Sequence, residues 1–177
     1  MARGNSWHRA WMQLAWVVPA FAETVAATGA TATQAPERMS RWRTEEVMRE
    51  YLAALLGNGP FANSFADDIV VTLVDVGQEI VGREAAEAAI VNFHQVAFAA
   101  KPEVKTFTAG SGIAWAELVL VGTHTGDFVG IPATGRSVRV PYVAVYDLAD
   151  DKITALRLYG PAAGLVQQLT ASESPSS

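Results

Sequence analysis

The sequence predicts an α+β domain in which helices come first and an antiparallel sheet follows. Three observations carry this. An apolar stripe of helical period runs through Val47, Met48, Tyr51, Leu52, Leu55 and Leu56; β-branched and aromatic segments succeed one another from Val104 onward; and Gly110-Ser111-Gly112 and Ala149-Asp150-Asp151 read as hairpin turns between them. A long sheet of this kind, curved over helices, makes a cone with one open end and a pocket inside.

The elements follow in order. Thr44 reads as the N-cap of the first helix, with Glu45 and Glu46 in its first turn, where the helix dipole favours acids. Gly57-Asn58-Gly59-Pro60 ends it. Residues 61–68 allow a short helix, and residues 69–76 are a β-branched run of strand length. Gly82 precedes a second helix, expected over residues 83–99, with Lys101-Pro102 marking its end. Strands are then expected at residues 104–109, 113–125, 137–148 and 152–159, and a short helix at 162–169 closes the domain.

Composition bounds the function classes. The chain has 177 residues, 18 acidic against 13 basic side chains, and no cysteine. Disulfides, thiolate metal sites and a cysteine nucleophile are therefore excluded. A net charge of -5 argues against a nucleic-acid partner, which needs a basic face to displace phosphate counterions. Asp67-Asp68 and His124 offer no metal-ligand spacing, and no phosphate loop or serine elbow appears, so neither metal nor cofactor is expected.

The N-terminus differs from the rest. Arg3 and Arg9 without an acid, then AWMQLAWVV, then Pro19-Ala20-Phe21-Ala22 follow the order of a secretory signal peptide over residues 1–22. Export to the periplasm or medium is expected on that reading, with no membrane anchor, because the apolar run falls short of the ~20 residues that span a bilayer. The other reading is an amphipathic helix docked on the domain or a partner, in a cytoplasmic protein. Residues 23–40, small and polar, read as a flexible linker, residues 41–169 as the folded domain, and residues 170–177 as a polar tail.

Within the domain, GTHTGDFVGIPATGR at residues 122–136, VRVP at 138–141 and DKI at 151–153 resemble the SnoaL-like polyketide cyclases of the NTF2-like superfamily. ADD at 66–68 and GREA at 82–85 resemble that superfamily's opening strand and second helix, and the resemblance spans about residues 47–169. It implies an NTF2-like cone, cofactor-free acid/base chemistry (cyclisation, isomerisation or hydration) on a small hydrophobic carbonyl compound, and a homodimer formed through the open sheet face. It also implies a general acid/base carboxylate on the penultimate long strand, and that position is Ala144. A non-catalytic ligand-binding or dimerising module is the alternative that Ala144 suggests. The chain resembles ketosteroid isomerases more distantly, which implies an oxyanion tyrosine at Tyr51 and a base near Leu73, with Asp75 two residues on.

Each polar candidate carries two readings. Asp75 is either the base or part of a turn with Val76 and Gly77. Tyr51 is either an oxyanion donor or a core residue. Arg157 binds a substrate oxygen if Ile153, Ala155, Arg157 and Tyr159 point into the cone, the parity expected here, and is merely exposed if they do not. His124 is either an acid/base near neutral pH or an organiser of its loop. His94 reads as a helix-surface or sheet-packing residue. Tyr142, Ala144 and Tyr146 share one face of their strand and, with Tyr159, are expected to form a wall for a flat hydrophobic ligand.

Overall fold

The structure, a computed structural model, describes residues 39–171. The expected leader, the linker up to residue 38 and the tail from residue 172 lie outside the described residues. Helix α1 (Arg41–Leu56) starts one residue after Ser40, whose Oγ accepts from the Arg43 amide at 3.2 Å. Ser40, not Thr44, is thus the cap. Thr44 sits buried in the first turn, where its hydroxyl donates to the Ser40 carbonyl and accepts from the Gly112 amide, each at 3.0 Å. It ties the start of α1 to a hairpin of the sheet.

A single 3₁₀ turn (Phe61–Ser64) leads straight into β1 (Phe65–Leu73), so the expected helix over residues 61–68 is half that length. The four-residue spacing of Phe61, Phe65 and Ile69 imitates a helix, while all three are buried. The strand ends at Leu73 because residues 74–77 turn, with Gly77 at φ +64, into β2 (Gln78–Val81), a short antiparallel partner of β1 that the sequence reading did not foresee.

Helix α2 (Arg83–Val91) is shorter than expected. One turn of π-helix (Asn92–Ala97) follows, and β3 runs from Phe98 to Ala109. Lys101-Pro102 therefore lies inside a strand. That is tolerable because β3 is the last strand in the order β2-β1-β6-β5-β4-β3, and an edge strand accommodates a residue without an N–H. Strands β4 (Ile113–His124), β5 (Ser137–Ala149) and β6 (Lys152–Tyr159) and helix α3 (Pro161–Thr170) agree with expectation to within a residue or so at each end.

The six strands form one sheet, antiparallel at every neighbour pair except β1 with β6, which are parallel. Its inner face packs on α1 and α2 through Met48, Tyr51, Phe65, Ile69, Leu118 and Leu156. Toward the start of β5 a second cluster, Phe98, Leu120, Val140, Leu165 and Leu169, holds α3. Close approach there depends on Gly164, where a Cβ would lie 2.8 Å from Val140 Cγ1.

Candidate functional site

Pleating decides which side chains reach the interior. On β5 the even-numbered residues Val138, Val140, Tyr142, Ala144, Tyr146 and Leu148 turn inward, and all but Tyr142 are almost fully buried. On β6 the pairing with β5 passes from Leu148↔Ile153 to Asp147↔Ala155, leaving Thr154 as an extra residue. This bulge flips the parity of the strand beyond it. Leu156 and Leu158 consequently face inward, and Arg157 and Tyr159 face the other side of the sheet.

Between the inner sheet face, α1 and the π turn lies a cavity of about 470 Å³. Its walls are mostly apolar: Leu55 from α1, Val71 and Leu73 from β1, Leu118 and Leu120 from β4, Leu156 and Leu158 from β6, Phe93 from the π turn and Phe128 from the loop between β4 and β5. The polar residues in the lining are Tyr51 on α1, Tyr142 and Tyr146 on β5, Asn92 and His94 on the π turn, and the exposed Gln78 and Asp127.

Tyr51 is 1% exposed and its ring meets Phe61, Phe65 and Tyr146 at centroid distances of 6.4, 5.6 and 5.6 Å. Burial pushes its phenol well above the usual tyrosine range, Tyr142 adds to the rise, and the Tyr146 hydroxyl partly offsets it. Burial likewise raises Tyr142 and Tyr146. All three phenols therefore keep their protons at any physiological pH and serve as donors, not bases. Ala144 lies in the same inward row, opposite Ala116 of β4 and Leu158 of β6, so no carboxylate projects from that point.

The structure does not bring the other predicted residues to this cavity. Asp75 sits in the β1–β2 turn, and its Oδ2 accepts from the Ala162 and Ala163 amides at 3.0 and 3.2 Å, capping the N-terminus of α3. Arg157 pairs on the outer face with Asp147, and Tyr159 lies 42% exposed on that same face. The expected inward parity of both is corrected by the bulge at Thr154.

His124 is completely buried. Its Nδ1 lies 3.0 Å from Thr134 Oγ1 and accepts from the Thr134 amide at 3.2 Å, and its backbone closes hydrogen bonds with Arg136 and Gly135. An Nδ1 that accepts from an amide leaves the imidazole proton on Nε2, which has no partner. Of the two readings, the geometry here is that of the loop organiser.

His94, expected as a helix-surface or sheet-packing residue, lines the cavity. Burial pulls its imidazole below the usual histidine value, with a hydrogen bond to the Ile90 backbone partly opposing. It is therefore neutral at neutral pH and able to accept a proton. His94 lies within the π turn, and no sequence signal marks that turn. Among the described residues no three His, Asp or Glu side chains gather as metal ligands would.

No protein of curated function matches the chain. Among solved structures the fold is similar to a candidate SnoaL-like polyketide cyclase from Jannaschia sp. CCS1, with a TM-score of 0.66 and 19% identity over 75% of this chain and 94% of that one. It is similar also to a candidate polyketide cyclase from Xanthomonas campestris, with a TM-score of 0.64 and 22% identity over 73% of this chain and 98% of that one. A candidate ketosteroid isomerase from Kribbella flavida has a TM-score of 0.55 and 19% identity, over 77% of this chain and 85% of that one. At such identities the likeness is one of fold. The SnoaL-like polyketide cyclase family itself matches residues 45–169, which include most of α1, all six strands and the residues that line the cavity, so the chain belongs to that family, within the NTF2-like superfamily.

Proposed function

We propose that the cavity binds a small hydrophobic carbonyl compound and that the protein performs cofactor-free acid/base chemistry on it: cyclisation, isomerisation or hydration. The observation that carries the reading is a mostly apolar cavity whose polar groups are complementary in kind, three phenols held protonated and one imidazole held neutral. His94 removes a proton from the carbon beside the carbonyl. Tyr51, assisted by Tyr142 and Tyr146, donates to the carbonyl oxygen as negative charge develops there. In an isomerisation the proton then returns to another carbon of the skeleton, in an aldol cyclisation it goes to the alkoxide oxygen of the carbonyl that the carbanion attacks, and in a hydration His94 instead takes the proton of the added water, so no cofactor is consumed.

One observation favours a second reading, a binding module without chemistry. Ala144 occupies the position that the family resemblance gives to a carboxylate, and the one carboxylate among the lining residues, Asp127, is exposed. The full chain, incubated with polyketide esters, steroid enones and terpene epoxides and assayed by mass spectrometry, separates the two. Turnover that Tyr51→Phe and His94→Asn lose supports the enzyme. Thermal stabilisation by a compound that is never converted establishes the binding module instead.

A further inference from the structure

The tip of the hairpin between β4 and β5 holds a residue of the wrong type for its backbone. Phe128 and Ile131 exchange hydrogen bonds at 3.0 and 2.9 Å, and the two residues between them, Val129 and Gly130, have φ of +47 and +81. Both central residues of this tight turn are left-handed, as in a type I′ turn, which favours Asn, Asp or Gly at its first position. Of the four non-glycine residues with positive φ among the described residues, three are Asn58, Asp150 and Asp151; the fourth is Val129, whose branched Cβ is strained there.

Packing within the fold does not repay that strain. Val129 is 68% exposed, yet it lines the cavity. The hairpin itself is firmly placed. Phe128 packs on Phe93 and Phe98 at centroid distances of 5.9 and 5.1 Å, the Asp127 carboxylate accepts from the Gly130 amide at 3.2 Å, and Gly126 approaches the Val96 carbonyl so closely that a Cβ would lie 2.5 Å from it. A second valine, Val76 in the β1–β2 turn, is also 55% exposed and also lines the cavity. Two turns from different parts of the chain thus each hold an exposed valine at the cavity's open side. A ligand confined to the inner part of the cavity would leave both in water.

We propose that Val129 is a specificity-determining residue that covers the outer part of an elongated apolar ligand, one whose hydrophobic tail passes out between Val129 and Val76. The inference rests on the proposed function and narrows its substrate class from compact carbonyl compounds to those carrying an apolar chain. The strained turn is retained because Asn or Gly, which would relieve it, offer no apolar surface to the ligand.

The test compares the full chain with its Val129→Asn and Val129→Leu variants, using methyl hexyl ketone as a short probe and methyl tridecyl ketone as a long one. Val129→Asn is expected to raise the melting temperature and at the same time to weaken the long ketone roughly tenfold, as loss of one apolar side-chain contact predicts. The short ketone is expected to bind as before, and Val129→Leu to keep the long ketone. A purely structural valine would give the opposite sign of stability change. Equal affinity of wild type and Val129→Asn for the long ketone, an equal loss for both ketones, or a lower melting temperature in Val129→Asn would each overturn the proposal. Binding without exchange of the ketone's α-hydrogens in deuterated water, with the chain-length dependence intact, removes the chemistry of the proposed function and keeps the role of Val129; failure of the wild type to bind either ketone overturns both.

Discussion

Arg157 and Asp147 grip each other across β6 and β5 through two parallel hydrogen bonds, Nη1 to Oδ2 at 2.5 Å and Nη2 to Oδ1 at 2.9 Å, on the sheet face turned away from the cavity. The guanidinium's hydrogen bonds hold the Asp147 carboxyl below its usual value, and the carboxylate raises Arg157 in return. A bidentate pair of this kind anchors the guanidinium on the outer face, where the sheet separates its remaining donors from a ligand in the cavity. Its stabilising effect is small, because the two side chains are 30% and 42% exposed and water screens them.

Arg157→Ala is therefore expected to lower stability by at most about 1 kcal/mol, less in high salt, and to leave ligand affinity and turnover unchanged. The pH dependence has a definite sign. A carboxylate depressed in the folded state adds stability above its unfolded pKa of about 4, and that stability is lost as pH falls through the lower folded value. Melting curves of wild type and variant should differ at neutral pH and converge in acid. Loss of turnover in a variant that melts like the wild type would place Arg157 in the chemistry after all.

Asp75 caps α3 from a turn more than eighty residues earlier in the chain, accepting from two amides that have no partner inside the helix. Replacing it with Ala is expected to cost about 1 kcal/mol, and with Asn or Ser only a fraction of that, since those side chains also cap. Ligand affinity should hold in all three. A graded series of melting temperatures in the order Asp, Asn, Ala checks the role, and a turnover that drops in Asp75→Asn with no change in stability would refute it.

How far the sequence could be read depended on how regular the backbone is. Periodicity puts Tyr51 on the buried stripe of an unbroken helix and Tyr142 and Tyr146 on one face of an unbroken strand, a face that the family resemblance turns toward the pocket, and the structure sets all three around one cavity. Arg157 was misplaced because a period-2 argument cannot detect one extra residue, and Thr154 is that residue. The alanine-rich segment from Ala85 to Ala100 suits a helix throughout, so nothing local announced that α2 would end at Val91 or that β3 would begin at Phe98. Pairing of β3 with β4, which extends from the hairpin turn to Phe98 opposite His124, overrides that propensity. His94 was missed for the same reason, since its direction depends on the π turn that joins the two.

Tyr51 offers a clean separation of fold from function. Its ring is core and its hydroxyl is a cavity donor, so Tyr51→Phe keeps the contacts with Phe61, Phe65 and Tyr146 while removing only the oxygen. Stability should change by less than about 1 kcal/mol, and kcat should fall on the order of 100-fold, as loss of an oxyanion donor does. Tyr51→Ala should cost roughly 3–5 kcal/mol through the void it leaves. A Tyr51→Phe variant with wild-type kcat would reduce the residue to packing alone.

His94 carries the pH signature of the proposed reaction. Because burial holds its folded value below the ordinary histidine value, the base stays neutral through neutral pH, and kcat/KM should fall only as pH drops below about 6.5. The same displacement predicts a stability change of the same sense as that of Asp147, in a window nearer neutral pH, because both folded values are depressed. Between the folded and unfolded values the unfolded chain binds the extra proton, so stability rises with pH across that window and reaches its full value above it. His94→Asn, which cannot titrate, should abolish the acid limb of the rate profile along with most of kcat, and should remove this part of the pH dependence of melting. An acid limb that persists unchanged in His94→Asn would assign the proton transfer to another group, and Asp127 at the exposed end of the cavity would be the next to replace.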